Sequence, residues 1–268
     1  VKVRLRDLTN IEEVREAIDD DTCCVFLEIL TNPQLEVADL KAISEVAHEK
    51  NVPLVVDSTV IPFTQFSAKN LGVDIEVVSS SKYISGGATS LGGLVIDYGT
   101  PYNGDFAKRL YGEMLFNFGA YMTPQVAYMQ TIGLETLDAR YRVQSGNALE
   151  LAKKLRTLPQ IQYVNYVGLE DNPYHELAQR QFGKTAGAMI CIDLESKEAC
   201  FSFLNNLKLI HRATNLFDNR SLAIHPASTI FGAFSENMRK SMDVKDTTIR
   251  LSVGLEDMDD LFEDIKQA

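Results

Sequence analysis

The sequence predicts an α/β protein, with a mostly parallel, helix-covered sheet followed by a smaller C-terminal α/β region. Three observations carry this expectation. Short β-branched and apolar runs alternate with amphipathic stretches in the N-terminal part, a long helical region follows Pro124, and strand and helix patterns resume beyond it. Such alternation is what crossovers between parallel strands produce, because each crossover lays a helix on a face of the sheet.

Residues 24–30 read as the first strand, 38–50 as an amphipathic helix with Leu40, Ile43, Val46 and Ala47 on one face, and 52–57 as the next strand. The rhythm continues through a helical stretch at 64–70, a strand at 75–80, a glycine-bearing turn at 85–90 and a strand at 94–97. Pro124 suits the first turn of a helix, where its missing N–H has no partner to lose, and the helical pattern runs on to residue 158 with Gly133 and Gly146 as weak points. A domain boundary is expected within this stretch, dividing the chain into residues 1–125, a connecting region at 126–158, and residues 159–268. In the last part, 161–167, 188–194, 221–224 and 248–253 read as strands and 197–207 and 257–266 as helices. The acidic run Glu256 to Asp260 marks a helix start, where carboxylates suit the positive end of the dipole.

With 268 residues, 45% of them hydrophobic, the chain is long enough to bury one large core and a smaller one. A net charge of −11 argues against nucleic acid or an anionic membrane as partner, since both select clustered Lys and Arg. No apolar run of the length of a membrane span occurs, and residues 1–10 carry charges throughout where a signal peptide would be apolar. The four cysteines have no metal or redox spacing, so free thiols in a cytoplasmic protein and no metal are expected. His48, beside Glu45 and Glu49, reads as a solvated or capping histidine; His225 reads as a loop-shaping residue as readily as a chemical one. Tyr111 and Tyr121 suit either the rim of a site or a packing surface.

The chemistry centres on two residues. Asp57 ends the strand Leu54-Val55-Val56, at the edge where open parallel sheets place their ligand crevices. Lys82 follows Ser79-Ser80-Ser81 after another apolar strand. A strand-end carboxylate that holds a pyridine nitrogen protonated, a lysine among apolar walls, and hydroxyls spaced two apart for a phosphate together suit pyridoxal phosphate (PLP). Each also has a plainer reading: Asp57 capping its own turn, and Lys82 a solvated charge behind a polar serine turn.

Thr31-Asn32-Pro33, Asp57, Lys82 and Gly92-Gly93, with Ser221 to Ser228 and Ile249 to Asp257, stand in the order of the Cys/Met-metabolism family of PLP enzymes, which the chain resembles over essentially its whole length. That family includes cystathionine synthases and lyases, methionine gamma-lyase and O-acetylhomoserine sulfhydrylase. The resemblance implies the aspartate aminotransferase-like fold of type I PLP-dependent transferases. Residues 1–125 would then be the C-terminal portion of the PLP-binding large domain, and 159–268 the small domain. It implies Lys82 as the Schiff-base lysine, Asp57 as partner of the pyridine nitrogen, and Ser79 and Ser81 as phosphate ligands. Asn32 would lie beside cofactor and substrate, and Arg250 would grip the substrate α-carboxylate; the plainer reading of Arg250 is a salt bridge with Asp246 or Glu256. Asn215 stands where the lyases carry a serine near that carboxylate.

The runs Thr89 to Asp97, Gly133 to Arg140 and Ser221 to Thr229 look most like O-acetylhomoserine sulfhydrylases, while Gly87 and Ile230 depart from the family pattern by replacing a histidine and a hydroxyl residue. The function implied is γ-replacement on O-acetylhomoserine with sulfide or a thiol, giving homocysteine or methionine. Gamma-elimination or replacement of the methionine gamma-lyase or cystathionine gamma-synthase/lyase type stays open, as does an inactive fragment with a structural or partner-binding role. A homodimer or homotetramer is implied. The family's N-terminal phosphate loop and ring-stacking tyrosine have no counterpart here, so part of the pocket is expected to come from outside this chain.

Overall fold

The computed structural model describes residues 2–268. Helix α1 (Ile11–Ala17) is capped by Asn10, whose side chain accepts from the backbone of Glu12 and Glu13. Strand β1 (Val25–Glu28) leads into α2 (Leu40–Glu49), which buries Leu40, Ile43, Val46 and Ala47 as the apolar spacing predicts. Then come β2 (Leu54–Asp57), β3 (Ile75–Val78) and β4 (Leu94–Asp97), and the sheet runs β1-β2-β3-β4. The first three strands are parallel, but β4 is antiparallel to β3 because the turn after Lys82 reverses the chain directly.

The helix expected at 64–70 is only a single 3-10 turn, Ala68–Leu71. It stops at Gly72, which takes a left-handed φ of 84° and lies so close to α2 that a Cβ there would stand 2.1 Å from Ser44 Oγ. His48 is neither solvated nor a cap. Its Nε2 pairs with buried Asp74 at 2.8 Å, and its ring stacks on Tyr102 at 3.8 Å. Asp74 also accepts from Leu54 N and Thr100 Oγ1, so this carboxylate ties α2, β2 and the loop after β4 together.

That loop enters α3 (Phe106–Arg109), a π-helical stretch at Leu110–Leu115 and α4 (Phe116–Phe118). Tyr111 and Tyr121 are both more than half exposed along this segment, as are Phe116 and Phe118. The single helical region expected after Pro124 is divided at Thr136 into α5 (Pro124–Glu135) and α6 (Leu137–Leu155). Gly146 does not interrupt α6, whereas Gly133 has a packing reason: a Cβ on it would stand 2.0 Å from Ile84 O. Alanine in a helix interior ordinarily gains about 1 kcal/mol over glycine. Here the clash with backbone wins, and Gly133→Ala is expected to lower stability by about 1–3 kcal/mol. Urea denaturation checks this, and a rise in the midpoint would contradict it.

The C-terminal part comprises β5 (Tyr163–Asn165), α7 (His175–Phe182), β6 (Met189–Asp193), α8 (Lys197–Asn206), β7 (His211–Arg212), β8 (Leu222–Ile224), α9 (Glu236–Ser241), β9 (Thr248–Ser252) and α10 (Met258–Gln267). Its sheet runs β5-β6-β9-β8-β7 and is antiparallel apart from the β7–β8 pair. Asp257 caps α10, while Glu256 accepts from Ser221 instead of joining the helix start. One continuous apolar cluster links the two sheets. Polar ties reinforce it: Gln181 accepts from Leu40 N and donates to Ala38 O, and Asn165 donates to Gln34 O. No helix among the described residues is long and apolar enough to cross a membrane.

Candidate active site

The site lies where the C-terminal edge of the first sheet meets β9 of the second. Lys82 sits at the head of the turn Tyr83–Ser85, and that turn is held from several sides. Ser85 Oγ donates to Ser81 O and Lys82 O at 3.0 and 3.1 Å. Arg140 Nη2 donates to Tyr83 O and Gly133 O, both at 2.8 Å. The buried Tyr83 ring stacks on Phe217 with centroids 4.3 Å apart. Phe217 is itself fully buried with a left-handed φ of 59°, an unfavourable backbone for a bulky residue that packing must hold in place.

The amine of Lys82 is half-buried and donates to Asn215 Oδ1 at 2.5 Å. Burial, and secondarily the positive charge of Arg250, lower its pKa below the usual lysine value. The amine is therefore more readily available as a neutral nucleophile or base. Lys82 is thus no solvated surface charge.

Arg250 is 1% exposed on the central strand β9. Its Nη1 donates to Asn32 Oδ1 at 3.0 Å, and Nη2 to Thr214 O and Asn215 O at 3.0 and 3.1 Å, leaving Nε buried without a partner. The salt bridges open to it in the sequence do not form: Asp246 is paired with Arg239, and Glu256 is taken by Ser221. Burial depresses its pKa to about 10. A buried guanidinium held only by neutral acceptors is one carboxylate short of a balanced charge.

Asp57 Oδ1 accepts from Thr59 N at 2.8 Å, so the turn-capping reading is realised at one oxygen. On the neighbouring strand its register partner is Glu28. Neither carboxylate has a salt-bridge partner among the described residues, and burial together with the Asp57 charge pushes Glu28 up to about 6. Two carboxylates side by side at a sheet's C-terminal edge call for a cation.

The serines differ in what they do. Ser81 Oγ accepts from Gly92 N at 2.9 Å and reaches Gly92 O at 3.2 Å, so this hydroxyl is engaged with the returning chain. Ser79 bonds through its backbone, its N–H donating to Thr59 Oγ1 at 2.8 Å and its carbonyl accepting from Lys82 N at 3.2 Å, which leaves its hydroxyl available. Ser80 Oγ is buried with no partner. Gly87 is explained by contact: its φ is 111°, and a Cβ would stand 2.7 Å from Asn219 Nδ2, which donates to Gly86 O. Sequence reasoning missed Glu28, Arg140 and Asn219. Only their spatial neighbours distinguish them from ordinary strand-end, helical and loop residues.

A primed amine, a pair of unmatched carboxylates, an available hydroxyl and a counterion-free guanidinium form a donor set that fits PLP with an amino acid upon it. Fold and site together define a PLP-dependent transferase of fold type I. The family model for Cys/Met metabolism PLP-dependent enzymes matches residues 1–268, and the chain belongs to that family. Its cofactor is PLP. An L-methionine gamma-lyase from Fusobacterium nucleatum subsp. polymorphum is 37% identical over 271 residues, covering 100% of this chain and 67% of the relative. An O-acetylhomoserine sulfhydrylase structure from Wolinella succinogenes superposes with a TM-score of 0.85 at 42% identity, covering 99% of this chain and 77% of that one. A Campylobacter jejuni protein assigned as an O-acetylhomoserine (thiol)-lyase, solved with a pyridoxyl-lysine phosphate, gives a TM-score of 0.93 at 33% identity over 97% of this chain and 69% of that one. The chain thus spans about two thirds of the length of the curated lyase relative. It catalyses a PLP-dependent reaction of the γ-replacement or γ-elimination class in methionine and cysteine metabolism.

Proposed function

We propose that the protein catalyses γ-replacement on O-acetylhomoserine with sulfide or a thiol. The observation that carries this reading is the Arg250–Asn215–Lys82 cluster, in which one asparagine accepts from the guanidinium through its carbonyl and from the amine through its side chain. An α-amino acid whose carboxylate met Arg250 would bring its Cα towards Lys82. The 42% identity to the Wolinella sulfhydrylase supports acyl-homoserine as the donor class.

PLP, when bound, supplies an electron sink that makes the Cα and Cβ protons of the amino acid removable. Lys82 would hold the cofactor through its amine, and the same amine would move protons at Cα and Cβ of the amino acid. Arg250 would bind the α-carboxylate, with Asn32 holding its Nη1. Asp57 would hold the ring nitrogen protonated, and the Ser79 hydroxyl would reach the cofactor phosphate, whereas Ser81 could join it only by giving up its bonds to Gly92. Asn215 steers the amine and borders the carboxylate. In the net reaction acetate leaves Cγ and the sulfur of the acceptor takes its place, so sulfide gives homocysteine and methanethiol gives methionine.

The gamma-lyase reading is favoured by the 37% identity to the Fusobacterium enzyme, and one experiment separates the two. The complete PLP-loaded protein is given O-acetylhomoserine with and without sulfide. Homocysteine and acetate in equal amounts are expected. An oxo acid and ammonia as the main products, whether or not sulfide is present, would make the protein a lyase.

A further inference from the structure

Glu28 ends β1 as Asp57 ends β2, and the two are register partners on the same face of the sheet. Its Oε2 accepts from Asn32 N at 3.1 Å, and the side chain of that asparagine accepts from Arg250 Nη1 at 3.0 Å. One carboxyl group therefore faces Asp57 on one side and, through Asn32, supports the guanidinium on the other. We propose that Glu28 is a positioning residue that gives up its proton when a cationic ring binds against Asp57, so that two carboxylates answer one cation. This rests on the functional reading above, because it needs the cofactor ring to lie at Asp57.

The groups around Glu28 set the sign. Asp57 of β2 is the charged group facing it, and like charge together with burial favours the protonated form; the Asn32 N–H opposes them. Arg250 of β9 reaches Asn32, and Lys82 after β3 is turned to Asn215. The opposite sheet face beneath β1 carries Val25 and Leu27 in the core, with no charge. A ring cation arriving at this edge reverses the balance and draws Glu28 into its ionised form, in which the bond from Asn32 N–H becomes charge-assisted. By linkage, PLP binds more weakly at a pH where Glu28 must first lose a proton.

The test is the dissociation constant of PLP for the complete protein, read by absorbance, at pH 5.5 and pH 7.5. Wild type, Glu28→Gln, Glu28→Asp and Asp57→Asn are compared. Glutamine keeps an acceptor for Asn32 N–H but cannot ionise. The gain in affinity between the two pH values is expected to be larger in wild type and Glu28→Asp than in Glu28→Gln by about threefold or more, since half a pKa unit is about threefold. An independent reading comes from the protein without cofactor. Glu28 has its ordinary value of 4.5 when unfolded and about 6 when folded, so the stability it contributes is present below 4.5 and lost as pH rises through 6. The melting temperature of Glu28→Gln should therefore gain on wild type across that window. If Asp57→Asn weakens PLP binding but Glu28→Gln keeps the wild-type pH ratio, the role of Glu28 is overturned and the functional reading stands. If Asp57→Asn leaves PLP binding unchanged, the reading at Asp57 falls and the inference with it.

Discussion

In a Lys82→Ala variant the visible absorption of protein-bound PLP disappears, and turnover falls by at least about 10⁴-fold. The size of the effect follows from the two tasks assigned to one amine. In the proposed role it would hold the cofactor at rest and move protons at the bound amino acid. Its surroundings are tuned to both, with burial and the Arg250 charge lowering the pKa and Asn215 fixing where the amine points. Arginine in place of Lys82 keeps a charge but has no amine of accessible pKa, so it should rescue nothing. Absorbance spectra and a product assay on the same preparations check both parts. A variant that keeps the visible band would remove Lys82 from the role given to it.

The second large effect is at Arg250. Replacing it with alanine would remove the guanidinium proposed to bind the substrate carboxylate and would leave Asn32 Oδ1 and the Thr214 and Asn215 carbonyls without their donor. The expected loss is about 3–5 kcal/mol of transition-state binding, or roughly 10²–10³-fold or more in kcat/KM, most of it in KM. Arg250→Lys keeps the charge without the planar fork and should recover only a small part. PLP binding should change little in either variant. Steady-state kinetics and a cofactor titration separate this from general unfolding, and an unchanged KM would place the substrate carboxylate elsewhere.

Much of this was legible in the sequence because strand ends and apolar periodicity are local signals. Asp57 and Lys82 each close or follow a strand whose β-branched run is visible without a structure, and α2 buries the face its spacing marks. The direction of β4 was not legible, since it depends on how tightly the turn after Lys82 folds back. Nor was the break at Thr136, where Arg140 Nε bonds back to its hydroxyl while Nη2 spans Gly133 O and Tyr83 O. His48 was misread for a similar reason: its partners Asp74 and Tyr102 are far away in sequence. Alternation left Arg250 free to face solvent. Only the placement of β9 between β6 and β8, with Asn32 crossing from the first sheet, buries it.

The same distinction applies to the serine run. Spacing placed Ser79 and Ser81 on one side of an extended chain, but Gly92 returns against Ser81 and takes up its hydroxyl. The long-range return of β4 therefore decides which hydroxyl is left available. Glu28 is the clearest case of a residue invisible to pattern reading. It is a strand-end glutamate until its register partner is known.

Whether Lys82 is the residue that carries the cofactor is read by borohydride reduction of the PLP-loaded protein. Reduction fixes the cofactor to the amine that holds it, and mass spectrometry of the peptides then reads its position. A pyridoxyl phosphate increment is expected on the peptide containing Lys82 and on no other. A stoichiometric increment on a different lysine, with the Lys82 peptide unmodified, would contradict it.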